Sequence, residues 1–264
     1  MRLHVLASGS KGNAAIVENM ATGEGILIDC GICKRDFLSR CDEAGFDPHL
    51  LKGVLVTHEH TDHTKGLGVV YRALAKLDVH PTVYVSDAVR DASRDIGELL
   101  EQGLCDAHAF ASGDELDFAG FAIHTFATSH DAAQSFGFRV ECGGDVIGYM
   151  TDTGVVTPQA HEALGGCRLL AIEANHDSRM LAEGPYPYPL KRRIASERGH
   201  LSNEQSAAEL AGLLHDGLAA VVAMHVSENN NDYELPGKAL RETLVREGHG
   251  AAVHVARQRG LVSI

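Results

Sequence analysis

The order of elements along this chain predicts an α+β fold, two β-sheets packed face to face with helices outside, in one domain spanning residues 1–264. Strand candidates come in two batches, with helix candidates between and after them. No Pro/Gly/Ser-rich linker, internal repeat or low-complexity tract divides the chain. The length of 264 residues supports a large core, and single sandwich domains reach this size.

Residues 3–7 and 14–18 read as strands flanking a tight turn, Ser8-Gly9-Ser10-Lys11-Gly12-Asn13. A third strand covers 25–29, and residues 34–44 read as a helix. The apolar run 53–57 is a buried strand, followed by a helix at 66–77 with apolar residues at helical spacing. A short strand at 82–85 and a helix at 87–102 close the first batch. The second batch has strands at 115–118, 121–127, 135–142 and 145–151, with Gly143-Gly144 as a two-residue hairpin signal. A helix at 158–164 carries Pro near its first turn. After a strand at 168–174, residues 184–199 hold three prolines and several basic residues and read as a loop or lid. Ser202 followed by Gln205 fits a capping box for a helix running to about 215. Strand 219–227, helix 236–246 and strand 250–256 complete the chain.

Hydrophobic content of 44% and charged content of 22% suit a globular protein. No stretch approaches the ~20 apolar residues of a membrane span. Residues 1–6 enter a strand directly, with no signal-peptide pattern, which places the protein in the cytoplasm. The net charge of −13 excludes a broad basic surface and predicts a substrate gripped locally. The six cysteines form no repeated framework, and the single Cys30-x-x-Cys33 reads as reduced thiols.

The string His58-Glu59-His60-Thr61-Asp62-His63 carries the chemistry. It begins at the end of a predicted strand and holds four metal-binding side chains in six residues. Ligands at positions one, three, five and six cannot share one strand face, so a loop must fold them around metal, and such a loop has room for two ions. Further donors belong at other strand ends: His130 after strand 121–127, Asp152 after 145–151, and His225 within 219–227. His176 and His200 rival His225 for the last position. Imidazole with carboxylate suits zinc, manganese or iron.

The order HxHxDH, later His, later Thr151-Asp152-Thr153-Gly154, later His resembles the metallo-β-lactamase superfamily, as does Leu27-Ile28-Asp29-Cys30-Gly31. The resemblance covers essentially the whole chain. It implies an αββα sandwich of two mixed sheets and two divalent metal ions per chain, zinc or manganese, with iron also accepted. It gives His58, His60 and His130 one ion, Asp62, His63 and His225 the other, and Asp152 to both.

Further strings narrow the branch. SGSxGN at 8–13, Glu173-Ala174-Asn175-His176-Asp177, YPxKxRI at 188–194, GHLSN at 199–203 and HVSENNN at 225–231 are similar to the YycJ/WalJ-type group, within the ribonuclease Z-like phosphodiesterases. That resemblance implies a DNA 5′→3′ exonuclease-like nuclease acting on DNA ends or single strands, with no membrane partner, through a hydroxide bridging the metals. Asp62 would orient the attacking water or take its proton, and His200 would supply a proton or hold phosphate. Free N–H groups at the helix start of 199–203 would make an anion site. The expected substrate contacts are Ser8, Ser10, Asn13, His176, Lys191, Arg193, His200, Ser202, Asn203 and Asn229. Two rivals use the same metals: a thioester or lactone hydrolase of the glyoxalase II type, and a non-enzymatic metal-binding regulator.

Overall fold

The computed structural model describes residues 1–264. One sheet contains β1 (Arg2–Ala7), β2 (Ala14–Glu18), β3 (Gly25–Ile28), β4 (Leu51–Leu55), β5 (Thr82–Val85) and β6 (Ala107–Ala109). The other contains β7 (Glu115–Phe118), β8 (Phe121–Ala127), β9 (Phe136–Cys142), β10 (Asp145–Met150), β11 (Leu169–Glu173), β12 (Ala220–Met224) and β13 (Ala252–Val255). A final strand, β14 (Val262–Ser263), returns to the edge of the first sheet beside β1, so each sheet has seven strands.

Both sheets are mixed. β1 to β3 pair antiparallel and β3 to β6 parallel, while β7 to β10 pair antiparallel and β10 to β13 parallel. The parallel strands of the second sheet explain its sequence. All five residues of β11 are buried, and alternate residues serve different cores. Leu169 and Ala171 join the cluster between the sheets, whereas Leu170 and Ile172 join a second cluster under the helices. β12 divides its residues the same way, which is why both strands read as unbroken apolar runs.

Helices α1 (Lys34–Ala44), α2 (Thr61–Thr64), α3 (Leu67–Ala75), α4 (Asp87–Ala92) and α5 (Arg94–Glu101) follow strands of the first sheet. Helices α6 (Pro158–Leu164), α7 (Ser178–Glu183), α8 (Tyr188–Ile194), α9 (Asn203–Leu213) and α10 (Glu234–Arg246) follow strands of the second. The αββα sandwich of two mixed sheets is therefore present. No helix is long and apolar enough to cross a membrane.

Three local expectations change. Residues 87–102 form two helices, because the Ser93 hydroxyl accepts from Ile96 N–H and caps a new start. Residues 184–199 contain α8, entered through Pro187 with Pro189 in its first turn, where a missing N–H costs nothing. The chain adds β6, β14, α2 and α7, elements too short for periodicity to reveal. Gly143 and Gly144 both take positive φ (58° and 81°), as the two-residue turn joining β9 to β10 requires.

Candidate metal centre

The carboxyl ends of β3, β4, β8, β10, β11 and β12 point the chain toward one place between the sheets. Asp29, Asp152 and His225, just beyond β3, β10 and β12, all have left-handed backbone (φ 58°, 53° and 53°). Asp and His tolerate this region better than other non-glycine residues, but it is still strained, and such strain collects at functional sites.

Donor atoms meet there in overlapping groups, each within 4.8 Å: His58, His60 and His130; Asp62, His63 and His225; His58, His63 and Asp152; and Asp152, Glu173, His200 and His225. Asp152 stands centrally, with one oxygen 3.3 Å from His63 Nε2 and the other 3.3 Å from His225 Nδ1 and 3.7 Å from His130 Nε2. Asp62 lies 3.5 Å from His225 Nε2.

Two properties show that these residues fit divalent metal. His58 Nε2 and His225 Nε2 are buried and have no hydrogen-bond partner, a costly state that a metal bond relieves. The other ring nitrogens are held from outside. His63 Nδ1 donates to Asp29 (2.7 Å), His130 Nδ1 to the Gly199 carbonyl (3.0 Å), and His225 Nδ1 to Glu173 (3.0 Å). These bonds fix each ring with Nε2 as the lone-pair face, the arrangement of metal-ligating histidines.

Electrostatics agrees. Burial and the neighbouring His63 hold His58 well below its ordinary value, hence neutral. Burial opposes charge on His225 too, yet Asp152, Asp62 and Glu173 push it up to about 10. Asp62 falls to about 2 despite burial, because His63 and His225 favour the carboxylate. The cluster is rich enough in carboxylates to protonate its own histidines, so it calls for cationic charge.

Residues near the sequence motifs support this geometry. Gly31 packs so closely that a Cβ there would lie 1.6 Å from the Asp62 carbonyl oxygen. Gly31→Ala is expected to displace the Asp62 backbone and cost at least about 1–3 kcal/mol, or roughly 3–10 °C in Tm. Thermal unfolding and metal content check this; an unchanged Tm would count against the packing role.

The substrate residues distribute unevenly. A cavity of about 190 Å³ beside the centre is lined by Ser10, Asp131, Asn175, Tyr186, Arg193 and His200, among others. Arg193 pairs with Asp131 at its wall. Ser8 lies behind the centre, its hydroxyl accepting from His225 N–H (2.7 Å), and Asn13 places its amide 3.0 Å from His63 Nε2. Lys191 donates to the Ala182 carbonyl (2.7 Å), and Asn229 to the Tyr186 hydroxyl (2.9 Å); neither lines the cavity. His176 is buried, its backbone carbonyl accepting from Asn203 N–H (2.9 Å), and is not among the lining residues.

The expected anion site at the start of α9 is not built. Leu201 N–H donates to Glu173, Ser202 N–H to Gln205, Asn203 N–H to His176, and Gln205 N–H to Ser202. The capping box takes the Ser202 and Gln205 amides, Glu173 and His176 take those of Leu201 and Asn203, and Ser202 and Asn203 are buried. The amides of Gly9, Lys11, Gly12 and Asn13 are likewise taken within the protein, so that turn does not cradle phosphate through them.

Asp29 and Glu173 have roles that the sequence strings containing them do not reveal. Glu173 organises the centre. One oxygen accepts from His200 Nδ1 (2.7 Å) and His225 Nδ1 (3.0 Å), the other from Thr153 N–H and Leu201 N–H. Its acceptor capacity is committed to orienting these groups. A glutamate closing an otherwise apolar strand is the available sequence signal.

A histidine–carboxylate cluster at the strand ends of a two-sheet sandwich suits a metal-dependent hydrolase. The family model described as "Beta-lactamase superfamily domain" matches residues 25–226. The chain belongs to this family, the metallo-β-lactamase superfamily. It is 34% identical over 254 residues to a protein of Bacillus anthracis named "Exodeoxyribonuclease YycJ", covering 95% of this chain and 92% of that one. It is 30% identical over 249 residues to "Exodeoxyribonuclease WalJ" of Streptococcus pneumoniae, covering 94% and 90%. The crystal structure of the metallo-β-lactamase fold protein YhfI from Bacillus subtilis shares the fold, with a TM-score of 0.74, 16% identity, and 100% and 99% of the two chains covered.

Proposed function

We propose that the protein is a metal-dependent phosphodiesterase of the exodeoxyribonuclease type, acting in the cytoplasm on DNA ends or single strands. The observation that carries this is His200. It lines the cavity, its Nδ1 is held by Glu173, and its ring lies 5.0 Å from that of His130 and 5.1 Å from that of His225. Similarity to the two named exodeoxyribonucleases supports DNA as the substrate.

We assign two ions, zinc or manganese, with His58, His60 and His130 holding one, Asp62, His63 and His225 the other, and Asp152 reaching both. When bound, such ions lower the pKa of water and neutralise charge growing on phosphorus-bound oxygens. Asp62, held as a carboxylate, orients the attacking water by accepting its hydrogen bond. Glu173 accepts from His200 Nδ1–H and its carboxylate balances an imidazolium charge, so that an Nε2–H can face the leaving oxygen and deliver the proton it needs. Ser10 and Arg193 contact phosphate oxygens from the cavity wall, with Arg193 released from Asp131 as substrate enters. Ser8 and Asn13 position His225 and His63. Residues 1–264 form one domain: β1, β2, β13 and β14 lie outside the matched segment yet pair with strands of the same two sheets or with one another.

His200→Asn is expected to lower phosphodiester cleavage by about 10²–10⁴-fold, the usual worth of a positioned acid, while metal content stays at the wild-type level. Steady-state rates on single-stranded DNA and bis-p-nitrophenyl phosphate, beside a thioester, check this. Thioester turnover with silent DNA would sink the assignment.

A further inference from the structure

The net charge of −13 conceals a local reversal. Beside the turn at residues 8–13 lies a hollow of about 480 Å³ whose lining includes Lys11, Arg35, Arg40, Lys65 and Arg259. Asp36 is its one lining carboxylate. Cys33 and Arg35 also line a second hollow, of about 760 Å³, between α1 and α3. There Lys34, Arg72 and Lys76 join them, and no carboxylate lines it. Eight of the chain's 23 lysines and arginines therefore line two hollows that share a wall.

This basic track begins at the metal centre. Ser10 lines the cavity containing His200, while its neighbour Lys11 lines the first basic hollow. Lys65 follows the HxHxDH string by two residues, and its ammonium donates to the Lys11 carbonyl (2.9 Å). Gly31, on the floor, packs against the Asp62 backbone. The existing partners are weak competitors: Lys11 with Glu228, Arg35 with Asp36 and Arg40 with Glu43 are exposed pairs, worth little in water. A polyanion entering the track would exchange them for phosphates and release its own counterions. Val69 and Leu77, apolar and partly exposed in the outer hollow, offer surface to a base rather than a phosphate.

We propose that this track, from Lys11 and Lys65 across α1 to Lys76 at the end of α3, holds the sugar–phosphate backbone of the nucleic-acid strand beyond the scissile bond. The occupant is a single strand, because the cations line two hollows in succession and the exposed apolar side chains of Val69 and Leu77 in the outer one suit unpaired bases. The proposal rests on the phosphodiesterase reading above, and its test separates the two.

The experiment uses the metal-loaded chain and a fluorescent single-stranded phosphorothioate oligonucleotide, long enough to fill the track and resistant to hydrolysis. Fluorescence anisotropy gives Kd as a function of salt for the wild type and for the triple variant Lys34→Gln/Arg35→Gln/Lys76→Gln. These side chains are at the surface, so Tm should be unchanged. Each cation that no longer neutralises a phosphate lowers the slope of log Kd against log salt by about 0.7, so the triple variant's slope should fall by about 2. Binding should weaken on the order of 10- to 100-fold at about 0.1 M salt. A control, Lys238→Gln/Arg241→Gln/Arg246→Gln on α10, makes the same charge change elsewhere. An unchanged slope, or equal weakening in the control, would overturn the track. Tighter binding of polyglutamate than of DNA, lost in the triple variant, would overturn the assigned occupant. Wild-type turnover of bis-p-nitrophenyl phosphate is measured in parallel; its absence would defeat the phosphodiesterase reading, while the anisotropy data still judge the track.

Discussion

Asp152→Asn is expected to abolish activity and strip the centre of metal while leaving the sandwich folded. Asp152 is the residue at which the ligand groups overlap, within 3.3–3.7 Å of His63, His130 and His225. Burial favours its protonated form, but His225 and His63 hold the carboxyl well below its usual range, so it is a carboxylate. Asparagine keeps the shape and removes the charge. It also replaces one lone-pair oxygen by an NH₂ group, which repels a cation. Changing a residue that merely orients a ligand costs about 10–100-fold in metal affinity. Removing a ligand at the centre should exceed about 100-fold. The backbone strain at Asp152 (φ 53°) is tolerated equally by asparagine, so the fold is not put at risk by the turn itself. Elemental analysis after dialysis, with thermal unfolding with and without added manganese, checks this. Wild type should gain Tm on adding metal, by mass action, and the variant should not. A variant retaining wild-type metal content would refute the central role.

The legibility of such a site follows from which residues announce themselves. Four ligands within six residues after an apolar strand are visible because chance rarely packs them so densely. His130, Asp152 and His225 are visible because each closes a strand, and strand ends are where an open sheet gathers its chemistry. The two-sheet architecture is readable because β8, β9 and β10 alternate or turn at Gly143-Gly144. The buried parallel strands read as strands but not as members of a particular layer, since Leu169 and Leu170 serve opposite faces with the same apolar character. What escapes is pairing. Nothing local says that Glu173 meets His200 and His225, which lie 27 and 52 residues away. Nor does the capping box Ser202-x-x-Gln205 reveal that the neighbouring amides of Leu201 and Asn203 are spent on Glu173 and His176. The basic track escapes for a related reason: its residues come from separate stretches of the chain, and the acidic total hides them.

Glu173→Gln should be nearly as damaging as loss of a ligand, although no proton or metal passes through it. Each carboxylate oxygen accepts two hydrogen bonds, one oxygen from two imidazole Nδ1–H groups and the other from two backbone N–H groups. An amide has one acceptor oxygen and one donor nitrogen. If its oxygen faces the backbone, its NH₂ faces Nδ1 of His200 and His225. Both rings must then carry their proton on Nε2, which cancels the lone pair that His225 would give to metal. If the amide is flipped, the histidines keep their tautomers but NH₂ confronts the Thr153 and Leu201 amides in a fully buried place. Two unmet buried donors at about 1–3 kcal/mol each make that rotamer unstable. The first arrangement therefore prevails, and the variant should lose about 10–100-fold in metal affinity, together with the carboxylate charge that balances an imidazolium at His200. The carboxylate, which burial alone would protonate, sits at about 2 because His200 and His225 stabilise its charge. That mutual stabilisation favours the folded, metal-free protein above roughly pH 4 and is lost as pH falls toward about 2. Three readouts separate this from simple unfolding: retained secondary structure, lowered metal content, and a low rate that added manganese restores only in part. The partial restoration is decisive, because saturating the ions repairs His225 but does not return the carboxylate charge beside His200. Full restoration by metal would mean that Glu173 serves the metal ligands alone.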